Sequence, residues 1–175
     1  YCPKRRAVLF FEDLHVGRRL KQYIKNSGWT YTLNQAFEQV IEECSLRGED
    51  EGTWINEDMK AAYLKFHKLG YAHSFEVWET NPDSSEKILI GGLYGVDVAG
   101  TFGGESMFHR ADNASKAAIL FMIETLQKLG RTFIDIQQLT PHMEALGARE
   151  ISRGKFLKLL EEVQSKPYET IAAGN

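Results

Sequence analysis

Apolar and polar positions follow two different periods along this chain, and the switches between them divide it into elements. Ala7, Val8, Leu9, Phe10 and Phe11 form an unbroken apolar run of strand length. Residues 16–26 read as a basic helix closed by Ser27 and Gly28. Residues 29–33 alternate with threonine, as a short strand does. Asn34 then offers a cap for a helix over 35–47, with Ala36, Phe37, Val40, Ile41 and Cys44 on one face and Gly48 as its stop. A charged stretch leads to Trp54. Asn56 starts another helix, through 68, in which Met59, Tyr63 and Phe66 recur at core spacing before Gly70 ends it.

The middle of the chain changes period. Residues 72–79 alternate apolar and polar, which predicts a half-buried strand. Residues 81–85 carry turn chemistry. Residues 87–99 and 101–108 read as a long antiparallel pair broken near Gly100. Asn113 is placed to cap a helix over 114–129 that is apolar almost all round, and such a helix belongs against a sheet. Residues 132–137 form the next strand. Thr140 and Pro141 open a short helix ending at Gly147, and Ser152 caps a last helix to about 164. Helices flanking a mostly antiparallel sheet, with one buried central helix, make an α+β domain.

Composition narrows the class. The chain has 175 residues, 43% hydrophobic and 26% charged, which suits one domain able to bury its own core. Cys2 and Cys44 form no CxxC pair, and the simplest setting is a reduced, cytoplasmic one. The longest apolar run, residues 117–123, is far too short to cross a bilayer, so no membrane partner is expected. The chain opens on Tyr1-Cys2-Pro3 rather than Met, so an upstream segment is expected. Net charge is -3, but residues 1–30 hold seven basic groups against two acidic, and residues 42–58 hold seven acidic against one basic. A local basic patch can dock a phosphate backbone, although two solvated faces explain the charge alone.

Several motifs fail on context. Gly91-Gly92-Leu93-Tyr94-Gly95 lies inside a strand pattern, where close backbone approach or a bulge is the natural reason for glycine, not a dinucleotide turn. Ser106 lacks the following glycine of a nucleophile elbow, since Phe108 stands there. His67, His73, His109 and His142 have no metal-ligand spacing, so no metal is expected.

Three stretches call for more than packing. They are Gly103-Gly104-Glu105-Ser106-Met107-Phe108-His109-Arg110 leading into Asp112-Asn113-Ala114-Ser115-Lys116; Phe133-Ile134-Asp135-Ile136-Gln137; and Thr140-Pro141-His142 followed by Leu146-Gly147-Ala148-Arg149-Glu150-Ile151. With Pro3-Lys4-Arg5-Arg6-Ala7-Val8-Leu9, Gly52-Thr53-Trp54-Ile55 and His73-Ser74-Phe75-Glu76-Val77-Trp78, they resemble, in order from residue 1 to about 160, the leucyl/phenylalanyl-tRNA–protein transferases. The resemblance implies a GNAT-like acyltransferase fold, with residues 1–175 as the catalytic domain and the family's small N-terminal domain lacking. Aromatic residues of that domain help hold the terminal adenosine. The implied substrates are Leu-tRNA or Phe-tRNA and a protein with N-terminal Arg or Lys. No cofactor is implied, because an ester is exchanged for an amide.

The acceptor amine must be unprotonated, and its pKa in peptides is about 8. Asp135 and Gln137, two apart on a strand, should share a face roughly 7 Å apart at the backbone. There a carboxylate can draw a proton and orient its neighbour, while an amide oxygen can hydrogen-bond the attacking nitrogen. The resemblance gives these roles: Gln137 contacts the amine, Asp135 polarises it, and Glu105 meets the incoming amino group. It further implies an aminoacyl pocket lined by Leu93, Phe102, Met107, Met122, Leu126 and Ile134. Met122 and Leu126 stand where the family pattern has aromatic residues, and Leu93 where it has methionine, so the preference between leucine and phenylalanine stays open. Trp54 would stack on the terminal adenine, and Arg18, Arg19, Lys21 and Lys25 would meet tRNA phosphates.

Two rivals differ in testable ways. An acyl-CoA-dependent acetyltransferase of the same fold needs a glycine-rich pyrophosphate loop before the central helix, where this chain has Arg110-Ala111-Asp112-Asn113-Ala114-Ser115. A related peptidyltransferase of cell-wall bridges would also use aminoacyl-tRNA. The other rival is a non-catalytic tRNA- or peptide-binding module.

Overall fold

A computed structural model describes residues 2–46 and 53–172. Seven strands form one sheet: β1 (Arg5–Phe10), β2 (Thr30–Leu33), β3 (Ala72–Thr80), β4 (Lys87–Val98), β5 (Thr101–His109), β6 (Phe133–Gln137) and β7 (Arg149–Ser152). Their order is β2-β3-β4-β5-β6-β1-β7. Every neighbouring pair is antiparallel except β5 with β6. Six helices accompany the sheet among the described residues: α1 (Arg18–Asn26), α2 (Phe37–Ser45), α3 (Glu57–Lys68), α4 (Ala114–Lys128), α5 (Pro141–Ala145) and α6 (Arg153–Gln164). The fold is α+β, with a mostly antiparallel sheet flanked by helices.

Both faces of the sheet are covered. On one, α4 packs Ala118, Met122 and Leu126 against Phe75, Val77, Leu93 and Phe102. On the other, α2 and α3 cover Ala72, Tyr94 and Phe108, and α6 places Phe156 with Val8, Phe133 and Ile151. This double cover corrects one expectation. Residues 72–79 alternate in sequence, yet residues 72–77 of β3 are all buried. Its polar residues His73, Ser74 and Glu76 are buried as well, and the wholly buried Glu76 reaches the start of α2.

Glu76 explains a second correction. Asn34 has φ 60° and is not the cap of α2, which starts at Phe37. The Glu76 carboxylate accepts instead from the Ala36 N–H, the Ser74 hydroxyl and the Thr32 hydroxyl. Burial raises its pKa, and those donors oppose the rise. Asn113 also has φ 67° and makes no side-chain cap to α4. Asn56, Thr140 and Ser152 do cap α3, α5 and α6. Phe66, expected in the core, is exposed, and β7 pairs with β1 where no strand was expected. Gly48, Gly52 and the charged residues 49–51 lie outside the described residues.

The glycines of β4 are there for close approach. A Cβ on Gly91 would lie 2.6 Å from the Ala114 Cβ of α4, and one on Gly95 would lie 2.3 Å from the Gly103 carbonyl oxygen. The tail after α6 returns to the sheet. Ile171 is buried in the main core, and Arg131, paired with Asp97 at 3.0 Å, also donates to the Glu169 carbonyl.

Candidate active site

β5 and β6 run parallel and share a single ladder pair, Gly103 with Asp135. Past that pair a cavity of about 160 Å³ opens between them. Its walls are Leu93 and Tyr94 of β4; Gly104, Glu105, Ser106 and Met107 of β5; Ile119 and Met122 of α4; and Ile134, Ile136 and Gln137 of β6, with Gln138, Thr140 and Met143 beside them. Adjacent residues of one strand point to opposite faces of a sheet. Leu93 and Tyr94, and Ser106 and Met107, all line this one cavity, so it passes through the sheet where the strands part. Its α4 side is apolar, and its other side carries the polar groups. An apolar cavity of roughly 150 Å³ accepts a benzene ring. This one therefore suits an isobutyl or benzyl group.

Of the six residues expected to line the pocket, Leu93, Met107, Met122 and Ile134 do so. Phe102 and Leu126 do not: both are wholly buried in the core beneath it.

Strand β6 is less regular than the i, i+2 rule assumes. In its ladder with β1, Ala7 faces Gln137 and Val8 faces Asp135, which leaves Ile136 as a bulge. Gln137 has φ 58°, a left-handed backbone that a non-glycine residue adopts only under constraint. The constraint is visible: the Gln137 N–H donates to Asp135 Oδ1 at 2.9 Å. Gln137 reaches the cavity, whereas Asp135 stands behind it. Both Asp135 oxygens are engaged by Arg6, with Nε to Oδ1 at 2.8 Å and Nη2 to Oδ2 at 2.6 Å. The simple picture of an acid and an amide side by side facing one substrate is corrected accordingly. The amide faces the cavity, and the acid holds the amide's backbone.

Glu105 is the one carboxylate among the described cavity-lining residues. Burial pushes its pKa up; the Tyr63 hydroxyl, hydrogen-bonded to it, and Arg6 pull it down, while Asp135 adds to the rise. Tyr63 and Arg6 were not singled out from sequence as site residues. Tyr63 sits at core spacing in α3, and Arg6 reads as one of a basic run. The Ser106 hydroxyl is buried at the cavity wall with no hydrogen-bond partner among the described residues. No three His, Cys, Asp or Glu side chains among the described residues are grouped to ligate a metal.

Trp54 is 48% exposed, and its ring lies 6.4 Å from Tyr63, edge-on. Tyr63 in turn packs 5.0 Å from Tyr94 of the cavity wall. A line of aromatic rings thus runs from solvent to the cavity. Arg18, Arg19, Lys21 and Lys25 are exposed on α1 and form no ion pair among the described residues. No helix among the described residues is long and apolar enough to cross a membrane.

Among solved structures, the crystal structure of FemX superposes with a TM-score of 0.62 at 10% identity, covering 92% of this chain and 65% of that one. At that identity the likeness is one of fold. It sets the chain in a class of α+β domains with this arrangement of sheet and helices. Sequence comparison then specifies the family. The profile of the leucyl/phenylalanyl-tRNA protein transferase family matches residues 8–161. Proteins named leucyl/phenylalanyl-tRNA–protein transferase from Yersinia pestis (strain Pestoides F) and Yersinia pseudotuberculosis (serotype O:1b, strain IP 31758) are each 47% identical over 167 residues, 95% of this chain and 68% of theirs. The chain belongs to the leucyl/phenylalanyl-tRNA protein transferase family.

Proposed function

We propose that residues 1–175 are the GNAT-like catalytic domain of a cytoplasmic enzyme that moves leucine or phenylalanine from aminoacyl-tRNA to the N-terminal Arg or Lys of a protein. The observation that carries this reading is the side-chain-sized cavity between β5 and β6, apolar within and rimmed by Glu105 and Gln137.

The leucyl or phenylalanyl side chain enters the apolar end, among Leu93, Met107, Met122 and Ile134. That leaves its ester carbonyl at the polar rim. The acceptor α-amine attacks the carbonyl carbon, a C–N bond forms, and the C–O bond to the terminal ribose breaks. One amine proton leaves the nitrogen, and the ribose oxygen departs as a hydroxyl. The Gln137 amide oxygen accepts a hydrogen bond from the amine and orients it. Glu105, whose pKa is raised by burial, takes the proton and passes it to the departing ribose oxygen. Asp135 acts through the backbone of Gln137. The exposed ring of Trp54 stacks on the terminal adenine, and the unpaired cations of α1 meet the tRNA phosphates.

The test is transfer of labelled leucine from Leu-tRNA to a peptide beginning with Arg, catalysed by the full-length protein. A Gln137→Ala variant is expected to lose most of the rate. Absence of transfer by the unaltered protein, or a normal rate in the variant, overturns the reading.

A further inference from the structure

We infer that Arg6 is a positioning residue for the transfer: it clamps Asp135 so that Asp135 can hold the Gln137 backbone in the turn that presents the amide to the cavity. The inference rests on the function proposed above. The chain of contacts is direct. Arg6 grips both oxygens of Asp135, 129 residues away in sequence. Oδ1 of that carboxylate also takes the Gln137 N–H. The bulge at Ile136 and the left-handed φ of Gln137 both fall at this point. Without an anchor, an ordinary strand would turn the residue after the bulge elsewhere.

The clamp is itself held. The Arg6 guanidinium lies 5.4 Å from the ring centre of Phe156, which α6 packs on this face of the sheet. Its side chain is 18% exposed and that of Asp135 10%. Arg5, the next residue, pairs with Glu150 at the surface and cannot substitute. Cys2 and Glu105 also act electrostatically on Arg6, more weakly than Asp135. A planar guanidinium suits this position because it fixes both the direction and the rotation of a carboxylate. Lysine supplies a point charge and fixes neither.

The experiment uses the full-length protein with Arg6→Lys, Arg6→Met, Asp135→Asn and the double variant Arg6→Met/Asp135→Asn. Leucine transfer is read per folded molecule, and hydrogen exchange is read at the Gln137 amide. Arg6→Met is expected to lower kcat roughly ten- to hundredfold, as misplacing a reacting group does. The KM for Leu-tRNA should stay within about threefold, and Gln137 exchange should speed up. Arg6→Lys should fall between, which keeps the inference testable if Arg6→Met does not fold. The double variant should be no slower than Asp135→Asn alone, because the two residues act in series. A merely structural arginine would lower thermal stability and leave kcat per folded molecule unchanged, with the two losses multiplying in the double variant. Normal kcat in Arg6→Lys and Arg6→Met beside a slow Asp135→Asn overturns this inference and leaves the transferase reading standing. Normal kcat in Asp135→Asn overturns the catalytic role of this strand and the inference with it.

Discussion

Replacing Glu105 with glutamine removes a proton acceptor while keeping the side chain's volume and its capacity to accept from Tyr63. General base catalysis contributes about 10² to 10⁴-fold, so Glu105→Gln should slow transfer by that range, or about 3–5 kcal/mol of barrier. The pH dependence gives a sharper test. The Glu105 pKa is raised, first by burial, so the base switches on as pH rises through a value above 4.5. The rate should climb through that window in the unaltered protein. Glu105→Gln should lose this limb and keep only the limb of the acceptor amine, near pH 8. The Tyr63 hydroxyl lowers the Glu105 pKa by hydrogen-bonding its charged form. Tyr63→Phe keeps the ring against Tyr94 and should move the acid limb upward. Single-turnover transfer from Leu-tRNA across pH 5–9 reads all three proteins. A Glu105→Gln rate within threefold of normal, or a limb that moves downward in Tyr63→Phe, refutes the reasoning.

Further outcomes follow from the same geometry. Ile136→Phe adds three carbons to the cavity wall and should exclude the benzyl group more than the isobutyl group. The kcat/KM ratio for Leu-tRNA over Phe-tRNA should then rise about tenfold or more, and an unchanged ratio would move the aminoacyl pocket elsewhere. Gly95→Ala would drive a Cβ to 2.3 Å from the Gly103 carbonyl, a backbone atom in the one ladder pair that joins β5 to β6. A loss of about 3 kcal/mol or more in urea unfolding is expected, and a loss under 1 would mean the strands shift freely. His73 is buried; its Nδ1 faces the Asn34 amide NH₂ and its Nε2 the Gly70 carbonyl, which fits a neutral ring. Burial lowers its pKa to about 4. The neutral form is favoured by folding, so this contribution is fully present above pH 6.5 and fades as pH falls from 6.5 toward 4, by about 3 kcal/mol. An NMR titration that finds His73 protonated at pH 6 would contradict it.

Much of the fold is legible in the sequence because period and punctuation agree. The buried helix after Asn113, the strands about Gly100 and the caps Asn56, Thr140 and Ser152 follow from local pattern. What escaped depends on partners distant in the chain. The alternation of 72–79 gives no hint that its polar residues His73, Ser74 and Glu76 are buried as well, because the helices that cover the strand lie elsewhere in the chain. Asn34 looks like a cap, but the cap is Glu76, whose side chain arrives from across the sheet. At the site, Asp135, Gln137 and Glu105 stand out by motif. The bulge that separates Asp135 from Gln137 is set by pairing with β1 and by Arg6, and neither has a local signal. Phe102 and Leu126 carry the same apolar character as the residues that line the cavity, and only depth distinguishes them.

The most direct test of the central claim is a crystal structure of the full-length protein with a stable leucyl- or phenylalanyl-adenosine analogue. The analogue's side chain is predicted to lie between β5 and β6, against Met107, Met122 and Ile134, with its carbonyl beside Gln137 and Glu105. An analogue seated elsewhere, with the split between the strands left empty, would contradict it.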